Sequence, residues 1–166
     1  PYVEEINGIR LKKSDKFWSV HKDHGDLFIK TAFPLSGGRK YAILKFSLNE
    51  RNWDLWFNKG VKETDPMEYP LDGLILYYLS IIHGDIMIHA SGINNAGHGY
   101  LFSGVSGQGK TTMAKLWDIT GAKVIHDDRL IIRYTGKQYF MHNTPVYRND
   151  VPSKSVLNKI FLIEHG

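Results

Sequence analysis

The sequence contains no cysteine and no long hydrophobic run. Its 166 residues include no cysteine, which excludes a disulfide framework and thiolate zinc sites. No apolar run is long enough to span a bilayer, and the first residues, PYVEEINGIR, lack the pattern of a secretory signal. We therefore predict a cytoplasmic protein without a membrane partner.

The composition shows no strong bias of another kind. Hydrophobic residues make up 42% and charged residues 23% of the chain, near the globular average, which argues against disorder and fibrous repeats. The net charge is +4, but the lysines and arginines are scattered and do not indicate a nucleic-acid surface. The length suits one core with a smaller lobe, and the sequence does not predict an oligomeric state.

The first part of the chain is rich in strand signals. Up to Asn58, short aromatic and β-branched runs such as KFWSV, DLFIKTAF, YAILKFSL and WDLWF alternate with turn residues, a pattern typical of antiparallel hairpins. Trp18, Trp53 and Trp56 are expected in the core rather than in a base-stacking platform. We predict an N-terminal β-rich lobe over residues 1–62 and a nucleotide-binding domain over residues 63–166.

The second part combines helices with strands. LDGLILYYLSIIHG predicts a buried helix that starts near Asp65-Pro66 or near Pro70 and stops at Gly84. Strands are predicted for IMIHASGI, GYLFS, AKVIHDD, RLIIRY, YFMHN and NKIFLIEHG. Because strands outnumber helices, we expect an α/β domain of α+β character with a mixed, largely antiparallel sheet. The terminal run IFLIEHG predicts a strand with no partner after it, and we expect the natural chain to continue.

The stretch LFSGVSGQGKTTMAKLW places a glycine-rich loop between a short strand and a helix predicted from Lys110 to Asp118. Its spacing, Gly104-x-x-x-x-Gly109-Lys110-Thr111, fits the phosphate loop, in which backbone N–H groups wrap phosphates at a helix N-terminus. The alternative is a glycine-rich turn that only joins strand to helix. The predicted nucleotide-binding residues are Gly104, Ser106, Gly107, Gln108, Gly109, Lys110, Thr111 and Thr112.

Two aspartates and a histidine are the other candidates for chemistry. Asp127 and Asp128 follow the apolar run KVIH, where carboxylates beside a phosphate loop can bind magnesium or accept a proton. Consecutive residues of a strand point to opposite faces, so the pair shares one site only if the strand ends or bends there. An Asp-Asp turn capped by Arg129 is the alternative. His89, within an apolar strand, is either a core residue or a catalytic one.

The segments IHASG, SGVSGQGKTT and HDDR, in this order over residues 84–135, resemble the catalytic core of the HPr kinase/phosphorylase family. That family shares its fold with phosphoenolpyruvate carboxykinases, so the resemblance implies a phosphate loop on a mixed β-sheet. HAS before the loop and TP after the aspartates are similar to the looser HPr-kinase-like set. The resemblance implies ATP and Mg²⁺ as cofactors.

The same resemblance implies roles for individual residues. Lys110 would bind the β and γ phosphates, Thr111 and Asp128 would bind magnesium, and Asp127 would be the base, with His89 nearby. The implied activity is a kinase that transfers the γ-phosphate of ATP to a hydroxyl, expected to be serine, of a protein or peptide. A carboxykinase-type enzyme and a non-catalytic ATP-binding or sensing module remain the alternatives.

Overall fold

The computed structural model describes residues 9–13, 17–24, 26–32, 41–47, 53–57, 69–145 and 151–164. It is a mixed α+β structure whose described part consists mostly of strands, with two helices. Contacts between Cα atoms divide the chain into two compact units, Pro1–Tyr78 and Leu79–Gly166. The predicted boundary between residues 62 and 63 lies outside the described residues and stays a prediction.

The first unit contains a five-stranded antiparallel sheet in which each strand pairs with the next along the chain. The four runs predicted as strands are confirmed, and one further strand, β1, was not predicted. The strands are β1 (Ile9–Lys13), β2 (Trp18–Asp23), β3 (Asp26–Ala32), β4 (Tyr41–Phe46) and β5 (Asp54–Phe57).

The core of this unit follows from the alternation of side chains along the strands. Val20, Ile29 and Leu44 stand opposite one another on β2, β3 and β4, and all three are buried. Residues that stand opposite one another on neighbouring strands have their side chains on the same face of the sheet, so this row forms an apolar surface. Trp18 and Trp53 pack against the same cluster, which confirms their prediction as core residues, whereas Trp56 is half-buried.

The first helix, α1 (Leu71–His83), starts directly after Pro70 and ends before Gly84, whose φ of +68° is left-handed. The Pro70 start is therefore confirmed, and the alternative at 65–66 lies outside the described residues. Leu71 and Tyr78 pack in the cluster that contains Val20, Ile29 and Leu44. The prediction of a buried helix is wrong for part of α1, because Tyr77 and Ile81 are exposed.

The second unit contains a six-stranded mixed sheet with strand order β10-β9-β8-β6-β7-β11. All neighbouring strands are antiparallel except β7 and β11, which are parallel, so the predicted sheet type is confirmed. The elements are β6 (Ile86–Asn95), β7 (His98–Ser103), α2 (Lys110–Ile119), β8 (Lys123–Tyr134), β9 (Tyr139–Asn143), β10 (Lys154–Val156) and β11 (Lys159–Leu162).

Three strands of this sheet differ from expectation. AKVIHDD and RLIIRY form the single strand β8, because its pairing with β6 continues from Lys123 to Ile132. The prediction that Asp127 and Asp128 end a strand is therefore wrong. β10 was not predicted, and β11, expected to lack a partner, pairs along its length with β7.

Helix α2 packs on one face of the second sheet. Its Ala114 is buried in a cluster with Ile93 of β6 and Phe102 of β7. Leu101, the neighbour of Phe102, belongs to a different cluster with Leu130, as the alternation of side chains along a strand requires. The helix is thereby held with its first residue, Lys110, directly after the glycine-rich loop.

Neither of the two helices in the described part of the chain combines the length and the apolar character that crossing a membrane requires.

Candidate functional site

A cavity of about 410 Å³ lies in the second unit between the glycine-rich loop, the start of α2 and the middle of the sheet. It brings together most of the residues that the sequence singled out. The sheet contributes His89, Ala90, Ser91, Asp127 and Asp128, and the loop and helix contribute Ser106, Gly107, Gly109, Lys110, Thr111 and Thr112.

The loop between β7 and α2 depends on glycine at two positions. Gly107 and Gly109 have φ values of +86° and +91°, in the left-handed region that side chains disfavour. Gly109 is the N-cap of α2, and no side chain caps this helix end. The first N–H groups of a helix have no intrahelical partner and carry partial positive charge, so this end of the cavity favours an anion.

Two predicted binding residues, Gly104 and Gln108, do not line the cavity; they shape the loop instead. The side-chain oxygen of Gln108 accepts the N–H of Val105 at 2.8 Å. At Gly104, an added Cβ atom would lie 2.6 Å from the carbonyl oxygen of Ile163. The loop can therefore pass the end of β11 only without a side chain at this position.

Lys110 turns its side chain back toward the loop. Its Nζ donates to the carbonyl oxygens of Gly104 at 3.0 Å and Val105 at 3.1 Å. The residue is only 7% exposed, although it lines the cavity. A buried ammonium held by carbonyl dipoles places a fixed positive charge beside the helix N-terminus, and both features attract phosphate.

Asp127 is held by Ser91, which no sequence motif identified as a functional residue. The hydroxyl of Ser91 donates to the Asp127 carboxylate, and the two residues stand directly opposite each other on β6 and β8. Ser91 is buried. A carboxylate that accepts a hydrogen bond from a buried hydroxyl is fixed in orientation.

Asp128 contacts two cationic or potentially cationic side chains. Its Oδ1 lies 3.2 Å from Nδ1 of His89, and its Oδ2 lies 3.4 Å from Nε of Arg129. The His89 side chain is 55% exposed, so the interpretation of His89 as a core residue is wrong. The Asp-Asp turn proposed as an alternative is also wrong, since both aspartates lie inside β8.

The adjacent aspartates line one cavity although both lie inside β8. The alternation of side chains predicts a shared site only where a strand ends or bends. The β6–β8 ladder shifts register between Gly92 and Ile93, whose partners are His126 and Val124. Such a bulge locally changes the direction of side chains. Ile125 and His126 are consequently both buried although they are consecutive.

Asp85, Arg133 and His142 form a polar group away from the cavity-lining residues. Arg133 donates to Asp85 Oδ1 at 2.9 Å and to Oδ2 at 2.5 Å, and these bonds hold the pKa of Asp85 below its usual range. Burial, together with Arg133 and Lys154, lowers the pKa of His142. This group is structural, tying the start of β6 to β8.

The donor set in the cavity suits a hard cation held by few protein ligands. Within the described ranges, no three histidine, aspartate or glutamate side chains are grouped so that they could hold a metal ion. The hydroxyl of Thr111 and the carboxylate of Asp128 both line the cavity. Oxygen ligands of this kind fit Mg²⁺, which commonly uses one or two protein groups together with phosphate and water.

No protein-family model matches the chain, and no curated protein matches it. The functional interpretation therefore depends on the sequence motifs and on the geometry of the cavity.

Proposed function

We propose that this protein is an ATP- and Mg²⁺-dependent kinase of the HPr-kinase-like class, which transfers the γ-phosphate to a hydroxyl, preferably serine, of a protein or peptide. The observation that carries the proposal is the shared cavity: the uncapped N-terminus of α2 and Lys110 face Asp127 and Asp128 across it. Phosphoryl transfer needs positioning and charge neutralisation more than covalent chemistry. These residues can provide both.

The phosphates of ATP are assigned to the loop side of the cavity. The N–H groups that open α2, together with Gly107 and Gly109, bind phosphate oxygens, and Lys110 binds the β and γ phosphates. Lys110 already lies within 3.1 Å of two loop carbonyls, so its ammonium is pre-positioned and loses little side-chain entropy on binding. The cavity volume of about 410 Å³ falls within the ordinary range for small-molecule sites.

Thr111 and Asp128 are assigned to magnesium. When bound, Mg²⁺ neutralises charge on the β and γ phosphates. Thr111 is in the first turn of α2 and Asp128 on β8, so the helix contributes one oxygen ligand and the sheet the other.

Asp127 is assigned as the general base. The acceptor hydroxyl oxygen forms a bond to the γ-phosphorus, its proton moves to the Asp127 carboxylate, and the bond to the β-γ bridging oxygen breaks with its electron pair leaving on ADP. Ser91 holds one carboxylate oxygen of Asp127, which leaves the other to face the acceptor. His89 lies beside Asp128 and orients that carboxylate.

A large acceptor fits the openness of this site. His89, Ser106, Gly107 and Thr111 are all exposed while lining the cavity. A seryl side chain on a peptide can therefore approach from solvent without a channel.

The experiment is transfer from γ-labelled Mg-ATP to proteins of a cell extract, with wild type and Asp127→Asn compared. The proposal predicts acid-stable labelling, as expected for a phosphoserine ester, that is lost in Asp127→Asn while ATP binding is kept. ATP consumption that depends on oxaloacetate would instead indicate a carboxykinase. Binding of ATP with no transfer to any acceptor would indicate a sensing module and contradict the kinase assignment.

A further inference from the structure

The two carboxylates of the cavity belong to consecutive residues of one strand, whose side chains normally alternate between the two faces of the sheet. In the β6–β8 ladder, Asp127 stands opposite Ser91 and Asp128 stands opposite Ala90. Alternation should therefore place Asp127 on the face of His89 and Ser91, and Asp128 on the other face. Yet Asp128 Oδ1 lies 3.2 Å from His89 Nδ1, and both carboxylates line one cavity.

The side chain of His126 lies at the place where the alternation fails. Its Nδ1 accepts the backbone N–H of Asp128 at 3.1 Å and of Arg129 at 3.3 Å. A ring nitrogen that accepts N–H groups carries no proton itself, so in this geometry Nδ1 is the acceptor of the ring. His126 is 5% exposed, and its ring is thus a fixed acceptor inside the fold.

The point at which the β8–β9 ladder starts explains why side chains must supply hydrogen bonds to residues 128 and 129. β8 pairs with β9 only from Leu130, opposite Asn143, onward. One residue earlier, the carbonyl oxygen of Arg129 accepts the hydroxyl of Thr144 at 3.0 Å, and Thr144 is 0% exposed. Buried backbone polar groups must find partners. His126 and Thr144 therefore supply bonds for residues 128 and 129 just before the β8–β9 ladder starts.

We propose that His126 is a positioning residue, assisted by Thr144, that fixes the backbone of residues 128 and 129 just before the β8–β9 ladder starts, so that both aspartates face the cavity. The inference depends on the proposed function where it assigns these carboxylates to magnesium and to proton transfer. Its structural part, the acceptor role of Nδ1, does not.

Two matched variants of His126 distinguish the effect of losing the hydrogen-bond acceptor from the effect of losing the volume of the ring. In His126→Asn the side-chain oxygen can accept the same N–H groups, as Asn does in turns, whereas His126→Leu fills the space without an acceptor. The probe is Mn²⁺ with ATP, followed by electron paramagnetic resonance. We expect His126→Leu to weaken Mn²⁺ affinity about 10- to 100-fold, the usual effect of losing a group that orients a metal ligand. We expect His126→Asn to stay within roughly threefold of wild type, because it retains the acceptor.

Ile132→Val is the control for general loss of stability, because Ile132 is a core residue of the same strand beyond the site. It should lower the melting temperature and leave Mn²⁺ affinity unchanged. Wild-type affinity in a folded His126→Leu protein would overturn the proposal. If His126→Leu does not fold, Thr144→Val replaces it, with Thr144→Ser as the variant that keeps the hydroxyl, and equal Mn²⁺ affinities of these two would overturn the proposal.

The nuclear magnetic resonance spectrum of wild type keeps the two proposals distinguishable. A nitrogen-15 shift showing Nδ1 unprotonated, with slow exchange of the Asp128 and Arg129 amides, would support the acceptor role even if the protein bound no Mn-ATP. In that case the proposed function fails alone. A protonated Nδ1 with fast exchange at both amides would overturn the positioning role whatever the protein binds.

Discussion

The ammonium of Lys110 donates at 3.0 Å to the carbonyl oxygen of Gly104, the residue that opens the glycine-rich loop. The lysine thus closes its own loop at the side of the cavity where the phosphates are proposed to bind. Lys110→Ala removes the buried cation. We expect Mg-ATP affinity to fall about 10- to 150-fold, since a hydrogen bond to a charged group contributes about 1.5–3 kcal/mol.

Calorimetric titration with Mg-ATP measures this change. Lys115→Ala is the matched control, because Lys115 is an exposed residue of the same helix and does not line the cavity. Equal affinities of the two variants would contradict the assignment of Lys110.

Replacing Gly104 or Gly107 by alanine should lower the free energy of unfolding, for different reasons. In Gly104→Ala the new Cβ would lie 2.6 Å from the Ile163 carbonyl oxygen, a backbone atom fixed by the bond from Ile163 N to Ser103 O at 2.7 Å. We expect a loss of about 1–3 kcal/mol of unfolding free energy from this overpacking. In Gly107→Ala the space is open but φ is +86°, and we expect about 1–2 kcal/mol from the left-handed conformation alone.

Urea denaturation of both variants tests this difference. A Gly104→Ala protein as stable as wild type would show that the loop passes β11 less closely than described.

The hydrogen bond from Ser91 to Asp127 should matter for transfer more than for ATP binding. Ser91→Ala leaves the carboxylate in place but free to rotate, and we expect the rate of transfer to fall about 10-fold, corresponding to about 1.4 kcal/mol. Ser155→Ala is the matched control: Ser155 is also buried in this sheet and accepts from the Asn94 amide at 2.6 Å. Ser155→Ala should lower the free energy of unfolding by a similar amount and leave the rate of phosphate transfer unchanged. A reduction of equal size in both variants would reject a positioning role for Ser91.

The ion pair of Asp85 and Arg133 predicts a pH dependence of stability. The folded pKa of Asp85 lies below its ordinary value of 3.8, chiefly because Arg133 donates to it. The pair therefore stabilises the fold above that value, and the stabilisation is lost as the pH falls through the folded pKa. Arg133 is 47% exposed, so solvent screening limits the contribution to about 1 kcal/mol.

Thermal unfolding between about pH 6 and pH 2 measures this contribution. Asp85→Asn should lower stability at pH 6 and flatten the acid limb of the curve. Asp118→Asn, at an exposed position of α2, should leave the curve unchanged. An Asp85→Asn curve parallel to that of wild type would contradict the linkage.

Local patterns predicted the regular parts of the fold well. α2 was predicted from Lys110 to Asp118 and runs from Lys110 to Ile119, because the glycine before it and the turn after it are local signals. The continuity of β8 could not be predicted, since it depends on pairing with β6, which is distant in sequence. β1 and β10 contain few apolar residues, IRLKK and KSV, so they carry little strand signal of their own.

In the candidate site, too, the residues that could be predicted are those whose signal is local in the sequence. Loop spacing identified the residues that surround the helix N-terminus, because the glycine-rich loop and the start of α2 are contiguous in sequence. It also selected Gly104 and Gln108, which shape the loop without lining the cavity. Ser91, His126 and Thr144 were missed as functional residues: each is a polar residue in an apolar strand or at its end. The partners of Ser91 and Thr144 become visible only when β6, β8 and β9 are placed side by side. Those of His126 are backbone N–H groups two and three residues later in the same strand.

We propose that the glycine-rich loop and the two aspartates of β8 bind Mg-ATP in one cavity. Amide chemical shifts of the nitrogen-15-labelled protein, recorded during titration with a non-hydrolysable Mg-ATP analogue, show which residues the nucleotide contacts. We predict large shifts for Gly107 to Thr112 and for Asp127 and Asp128, with small shifts in the first unit. No shift in these residues at millimolar analogue would contradict the claim and leave the loop as a glycine-rich turn between β7 and α2.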